Sequence, residues 1–181
     1  MKKILAMVAV AMMTAMSAQA QEKGDFAIGL RGGATLTKVK IQDWEMDETS
    51  SRFGIGAFGQ YNFANHWRVE LEGIYHPMKD HASDVTACIN LHYLINLTKD
   101  HTLKLYPILG YGLSFVHNET FTDGGTTIHG DNSTDGGIQI GIGNQCDLTF
   151  AKGWFVSGEY KYQPGILGDG HVAMIGIGYR F

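Results

Sequence analysis

The sequence predicts an all-β chain, an eight-stranded antiparallel transmembrane β-barrel with short turns at one end and longer loops at the other. Three observations predict it. Apolar and polar residues alternate with period two in eight successive segments, as in strands with two unlike faces. Beyond the first twenty residues, no apolar run reaches the roughly 18 residues from which a spanning helix is read. Glycine is frequent, at 24 residues, and aromatics make up 11%. With no sequence-wide glycine period, that composition points to β structure rich in turns. Lipid offers the backbone no hydrogen-bond partner, so strands that cross it must close on themselves.

Residues 1–20 read as a cleaved secretory signal peptide, and residues 21–181 as a single barrel domain. Lys2 and Lys3 give a positive start, an apolar run follows from Ile4 to Met16, and Ala18-Gln19-Ala20 places small residues where a signal peptidase reads. Gln21, not a cysteine, would then lead the mature chain, which argues against lipid anchoring. Loss of two lysines leaves 12 basic and 18 acidic residues, a formal charge of −6. An acidic exported chain is a poor partner for nucleic acid, which rewards clustered Lys and Arg.

The first strand is expected over Asp25–Thr37, with Phe26, Ile28, Leu30, Ala34 and Leu36 on one face and Arg31 on the other. Ser51–Phe63 sets Phe53, Ile55, Tyr61 and Phe63 against Arg52, Phe58, Gln60 and Asn62. Trp67–Met78 sets Val69, Leu71 and Tyr75 against Arg68, Glu70, Glu72 and His76. Asp84–Thr98 alternates most cleanly, with Val85 through Leu97 against Thr86, Asn90, His92 and Asn96. Leu103–His117 opposes Leu105, Leu109 and Tyr111 to Lys104, Tyr106 and Ser114. Gly136–Thr149 opposes Ile138, Ile140 and Ile142 to Gln139, Gln145 and Asp147. Trp154–Gln163 opposes Val156 and Tyr160 to Ser157, Glu159 and Lys161, and His171–Phe181 opposes Ile175, Ile177, Tyr179 and Phe181 to Met174 and Arg180.

Alternation alone also fits a soluble barrel. The connections separate the two readings. Ala64–His66, Lys99–Thr102 and Phe150–Gly153 are short, whereas Val39–Ser50, Asn118–Asp135 and Pro164–Gly170 are longer or richer in turn residues. That asymmetry is the one between periplasmic turns and extracellular loops. The connection from Lys79 is short for an outer loop. Tyr61, Phe63, Trp67, Trp154 and Phe181 gather beside the short turns on the apolar face, like an interfacial girdle. The other face carries Arg31, Arg52, Arg68, Lys104, Lys161 and Arg180 together with Glu70, Glu72, Asp147 and Glu159. Eight strands enclose a lumen that side chains can fill, so these ten are expected to neutralise one another there as a structural lumen network. Cys88 and Cys146 fall on opposite faces, two strands apart, and are expected to be free thiols.

Ile175, Ile177, Tyr179 and the terminal Phe181 resemble the C-terminal assembly signal of bacterial outer-membrane β-barrels. With the leader and eight strands, the chain is similar to the OmpX/OmpA-transmembrane-like group of small barrels, often labelled porin family. The resemblance implies residence in the bacterial outer membrane, contact with its lipid, and insertion by the barrel assembly machinery. It identifies a kind of barrel, not an activity.

Motifs for chemistry are sparse. The His-x-Ser pair of lipid A deacylases of the PagL type has no counterpart at Lys161-Tyr162-Gln163-Pro164. His81-Ala82-Ser83 has the spacing but sits in an outer connection, with Asp80 or Asp84 to orient it. A PagP-like acyltransferase would need an apolar slot that a charged lumen opposes. His76, His81, His117, His129 and His171 lie toward the outer side without metal-ligand spacing. Glu70 and Glu72 read as ion-paired rather than catalytic. No catalytic residue, cofactor or metal is assigned. The expected role is structural or surface-interacting, with an extracellular protein or surface ligand met by the outer loops. The alternatives are a narrow channel or apolar-ligand conduit, and a lipid A-modifying enzyme. The Asn118–Asp135 loop is expected to be mobile or to form a two-stranded extension.

Overall fold

A computed structural model describes residues 23–40, 47–79, 81–123, 126–128, 130–164, 166 and 169–181. The expected signal peptide, Asp80 and His129 lie outside the described residues. The elements are β1 (Phe26–Lys40), β2 (Asp47–Ala64), β3 (Trp67–Lys79), β4 (Ala82–Tyr93), β5 (Ile95–Asn96), β6 (Leu103–Asn118), β7 (Phe121–Asp123), β8 (Thr126–Ile128), β9 (Ser133–Asp147), β10 (Trp154–Pro164) and β11 (Asp169–Arg180).

Eight antiparallel staves form a closed barrel, β4 and β5 making one stave between them. The ring closes where β1 pairs with β11, from Ala27 opposite Arg180 to Lys38 opposite Asp169. Following paired residues once around the sheet measures its stagger. Asn144 leads through Gly158, Ile175, Gly32, Ile55, Tyr75, Val85 and Phe115 to Thr134, ten residues from Asn144 on the same strand. For eight strands this shear tilts each by about 40° and leaves a bore that side chains can fill.

Several elements differ from the expected boundaries. The stave expected over Asp84–Thr98 is interrupted at Leu94, whose N–H goes to the His66 carbonyl at 2.7 Å. The register with β6 is the same on both sides of the gap, His92 facing Ile108 and Asn96 facing Lys104. The β1–β2 ladder runs through to Lys40 opposite Asp47, so both limbs of the expected Val39–Ser50 loop belong to the strands. Beyond the membrane neither face of a strand must be apolar, and alternation stops marking it. Between β6 and β9, β7 and β8 pair as the two-stranded extension.

The faces sort by parity. Leu30, Phe53, Leu71, Ile89, Leu109, Ile140 and Ile175 point outward and are exposed. Tyr61, Phe63, Trp67, Trp154 and Phe181 also point outward, beside the short turns. Rings fill the bore beside inward glycines. A Cβ on Gly143 would strike the Tyr106 ring, and one on Gly178 the Phe155 ring. The described residues contain no helix long and apolar enough to cross a membrane.

Candidate functional site

The lumen holds the chain's densest polar chemistry. Arg31, from β1, is its hub. Nη1 lies 2.6 Å from Glu72 Oε1 and 2.6 Å from Glu159 Oε2, and Nη2 lies 2.7 Å from Glu70 Oε2. Lys161 pairs with Glu72 and lies 3.5 Å from Glu159 Oε2. The Arg31 guanidinium also sits over the Phe58 ring, 4.1 Å from its centroid. Asn90 and Gln60 donate to Glu70 at 3.1 and 2.7 Å, and Tyr106 donates to Glu159 at 2.9 Å. The carboxylates therefore share many donors, as desolvated charges must.

Arg68 lies lower and has no carboxylate partner of its own among the described ion pairs. Its Nε and Nη2 point at His92 Nδ1, at 3.1 and 3.0 Å, and its Nη1 donates to Gln145 at 2.7 Å. Arginine only donates, so Nδ1 holds the lone pair and Nε2 the proton. That Nε2 is buried without a hydrogen-bond partner, 3.9 Å from Glu70 Oε1. Glu70, His92 and Glu159 bring potential ligand atoms within 4.8 Å of one another. They suit a metal poorly. Arg31 already occupies both carboxylates, and Nε2 would have to lose its proton.

Two smaller ionic groups flank this centre. Toward the longer loops, Arg52 Nη1 meets Asp84 Oδ1 at 2.6 Å, and His76 Nδ1 meets Asp84 Oδ2 at 2.7 Å. Thr35 Oγ1 lies 2.9 Å from His76 Nε2. Toward the short turns, Lys104 and Arg180 both pair with Asp147, and Arg180 Nε reaches Asp25 at 3.8 Å. The last group lines a vestibule of about 720 Å³ with Asp100 and Lys152 at its edge. Hydrogen bonds from the Thr98 and Thr102 side chains hold the exposed Asp100 carboxyl below its ordinary range. Across the three levels, Arg31, Arg68, Lys161, Arg52, Lys104 and Arg180 balance Glu70, Glu72, Glu159, Asp84, Asp147 and Asp25 in formal charge.

The ten residues anticipated for the lumen thus fall into three levels, of which the central and lower are joined through Arg68, Gln145 and Asp147. The sequence reading omitted Asp84 and Asp25 as ionic partners, because both lie at strand ends, where inward and outward are hardest to read. It placed Met174 on the inward face but left out Ile74 and Val172, with which Met174 forms an inward apolar cluster. Cys88 is buried in the lumen, Cys146 is exposed on the outer wall, and both are free. Asp84 faces inward and is held by Arg52 and His76, while the neighbouring His81 is exposed. His117 is exposed and bonds Asn132. Ile175, Ile177, Tyr179 and Phe181 follow one another along the outer wall, with the Tyr179 and Phe181 rings edge to face at 5.2 Å.

Comparison with known proteins matches this architecture. Among solved structures, the N-terminal β-barrel domain of Pseudomonas aeruginosa OprF aligns with a TM-score of 0.61 at 14% identity, covering 89% of this chain and 100% of that one. The attachment invasion locus protein Ail of Yersinia pestis, also solved with the heparin analogue sucrose octasulfate, aligns at 0.57 and 16% identity, covering 88% and 100%. Neisserial surface protein A aligns at 0.59 and 11%, covering 88% and 98%. At such identities the likeness is one of fold. No curated protein matches the chain. The family model for the outer membrane protein beta-barrel domain matches residues 5–181. The chain belongs to that family, and its place is the bacterial outer membrane.

Proposed function

We propose that this protein is a non-enzymatic outer-membrane barrel with a side-chain-filled lumen, working structurally or through surface contacts made by its outer connections. The observation that carries the reading is Arg31 bound to Glu70, Glu72 and Glu159 across the middle of the bore, all four buried. A plug of mutually neutralised side chains stiffens the cylinder and obstructs solutes. In planar bilayers the purified barrel should show no stepwise openings. Sustained conductance would favour the narrow-channel alternative and overturn the plugged reading.

The surface role rests on the β7–β8 extension beyond the wall and on fold likeness to Ail, which was solved with a heparin analogue. Deleting residues 119–132 should abolish adhesion to host surfaces while the barrel still folds. Unchanged adhesion would leave only the structural role. We further propose that residues 1–20 are removed after Ala20, which N-terminal sequencing of the membrane form tests. In the same reading Ile175, Ile177, Tyr179 and Phe181 are read by the barrel assembly machinery. Deletion of Phe181 should then cut the heat-modifiable, membrane-inserted fraction.

One observation favours a second, enzymatic reading. Thr35, His76 and Asp84 are linked at 2.9 and 2.7 Å in the order hydroxyl, imidazole, carboxylate, the arrangement that activates a nucleophile. All three are buried, and Asp84 is shared with Arg52, so we read the line as structural. Fluorophosphonate labelling lost in a Thr35→Val variant would reverse that.

A further inference from the structure

At the short-turn end, bore and outer wall meet beside the end of β11. Arg180 points inward to Asp147, whereas its neighbours Tyr179 and Phe181 point outward and are exposed. The Tyr179 ring leans over the turn that leads into β10. A Cβ on Gly153, whose φ is +85°, would come within 2.7 Å of that ring. Trp154 lies edge to face with Tyr179 at 5.5 Å, and Phe181 stacks on Phe26 at 6.0 Å. These outward rings are one stretch of the interfacial girdle. The vestibule of about 720 Å³ is lined by Tyr179, Gly153 and Phe181 as well as by the inward Lys104, Asp147 and Arg180. It therefore runs from the bore mouth past the end of β11 to the ring-bearing wall.

The side-chain charges around this space match in number. Lys104, Lys152 and Arg180 supply three cations, and Asp25, Asp100 and Asp147 three acids. Lys104 and Arg180 are committed to Asp147. Lys152 is exposed and makes no ion pair among the described residues. Asp100 is exposed on the adjacent short turn, between β5 and β6. A net anion here would gain from Lys152 and be repelled by the acids, and a net cation would meet the converse. A zwitterion complements both signs. The volume falls within the roughly 300–1,000 Å³ of small-molecule sites.

We propose that the vestibule takes the headgroup of one zwitterionic phospholipid from the periplasmic leaflet. Its phosphate faces Lys152, its primary ammonium faces Asp100, and its chains leave along Tyr179 and Phe181. Continuity with the lipid-facing rings selects a lipid over a free periplasmic zwitterion. The matched charges select a headgroup that carries both signs, and an ammonium with its N–H donors suits carboxylates. The site rests on the transmembrane reading with the short turns in the periplasm. It does not rest on the state of the lumen, so lipid retention and bilayer conductance fail independently.

The test is native mass spectrometry of the detergent-folded full barrel, with palmitoyl-oleoyl phosphatidylethanolamine added. The native chain should keep one lipid per barrel. It should prefer that lipid to palmitoyl-oleoyl phosphatidylglycerol, which has the same chains and phosphate but no ammonium. It should not hold glycerophosphoethanolamine, the headgroup without chains. Lys152→Glu places a further acid beside the phosphate and should cut retention about tenfold. Asp100→Asn keeps an oxygen for the Thr102 hydroxyl and should shrink the preference over phosphatidylglycerol. Both side chains are exposed, and a heat-shifted gel band reports folding. If Lys152→Glu fails it, Lys152→Gln is read in its place. Undiminished retention in the folded Lys152 variant, equal retention of phosphatidylglycerol by the native chain, or glycerophosphoethanolamine held as tightly as the lipid overturns the site.

Discussion

Arg31 shows how much one side chain can organise. Its guanidinium lies within 2.7 Å of oxygens from Glu70, Glu72 and Glu159, and all four residues are buried. Replacing it with Met keeps an unbranched apolar stem and removes the charge, leaving Lys161 paired with Glu72 and Glu159 and Glu70 without its arginine. Breaking a buried pair from one side costs about 3–5 kcal/mol, so Arg31→Met should lower the denaturant midpoint of the folded barrel by that equivalent. Adding Glu159→Gln should recover part of the loss. If the single change leaves the midpoint where it was, the ionic centre is not what holds the bore together. Gly143 is the steric counterpart. Its missing side chain is the space in which the Tyr106 ring lies. Gly143→Ala should destabilise by about 1–3 kcal/mol, and Gly143→Ala in a Tyr106→Leu background by less. Equal losses in the two backgrounds would show that the ring is not the obstacle.

At the scale of the strand, the alternation that made the elements legible also assigns their energetics. Leu109 is outward near the middle of β6, and its neighbour Ile108 is buried inward. Arg at the membrane midplane of a barrel costs about 2–4 kcal/mol. Leu109→Arg should show that cost in unfolding from lipid vesicles, while Ser133→Arg, at the loop end of β9, should show little. Equal costs would mean that the wall does not contact hydrocarbon at Leu109. All eight staves were legible because lipid and lumen demand opposite polarity, which leaves period two in the sequence. The overrun of β1 and β2 past the membrane was not, since a ladder bathed in water on both faces imposes no pattern. Parity also placed Arg31, Glu70 and Lys161 on one face, but it says nothing of depth. The division into three ionic levels depends on the stagger between strands, which only coordinates supply. The lining of the vestibule was hidden for a related reason: Asp100, Lys152 and Arg180 lie in separate segments and meet only through the closed ring.

For the molecule as a whole, the two thiols report which compartment is which. Cys88 is inside the bore and Cys146 on the wall near the short turns. A small maleimide should modify Cys146 in the detergent-folded barrel and Cys88 only after heat unfolds it. Labelling of both before heating would mean the bore is open. The seam between β1 and β11, where Phe181 N–H meets the Phe26 carbonyl at 2.9 Å, carries a different implication. The cylinder's first and final staves are mutual neighbours, so during assembly in the membrane the sheet has two bare edges until β1 and β11 meet. It must be kept from pairing with other chains for that whole interval. Once shut, the ring has no preferred starting stave. A version spliced across the seam and opened in an outer connection should reach the same cylinder when refolded in detergent, where no terminal signal is read.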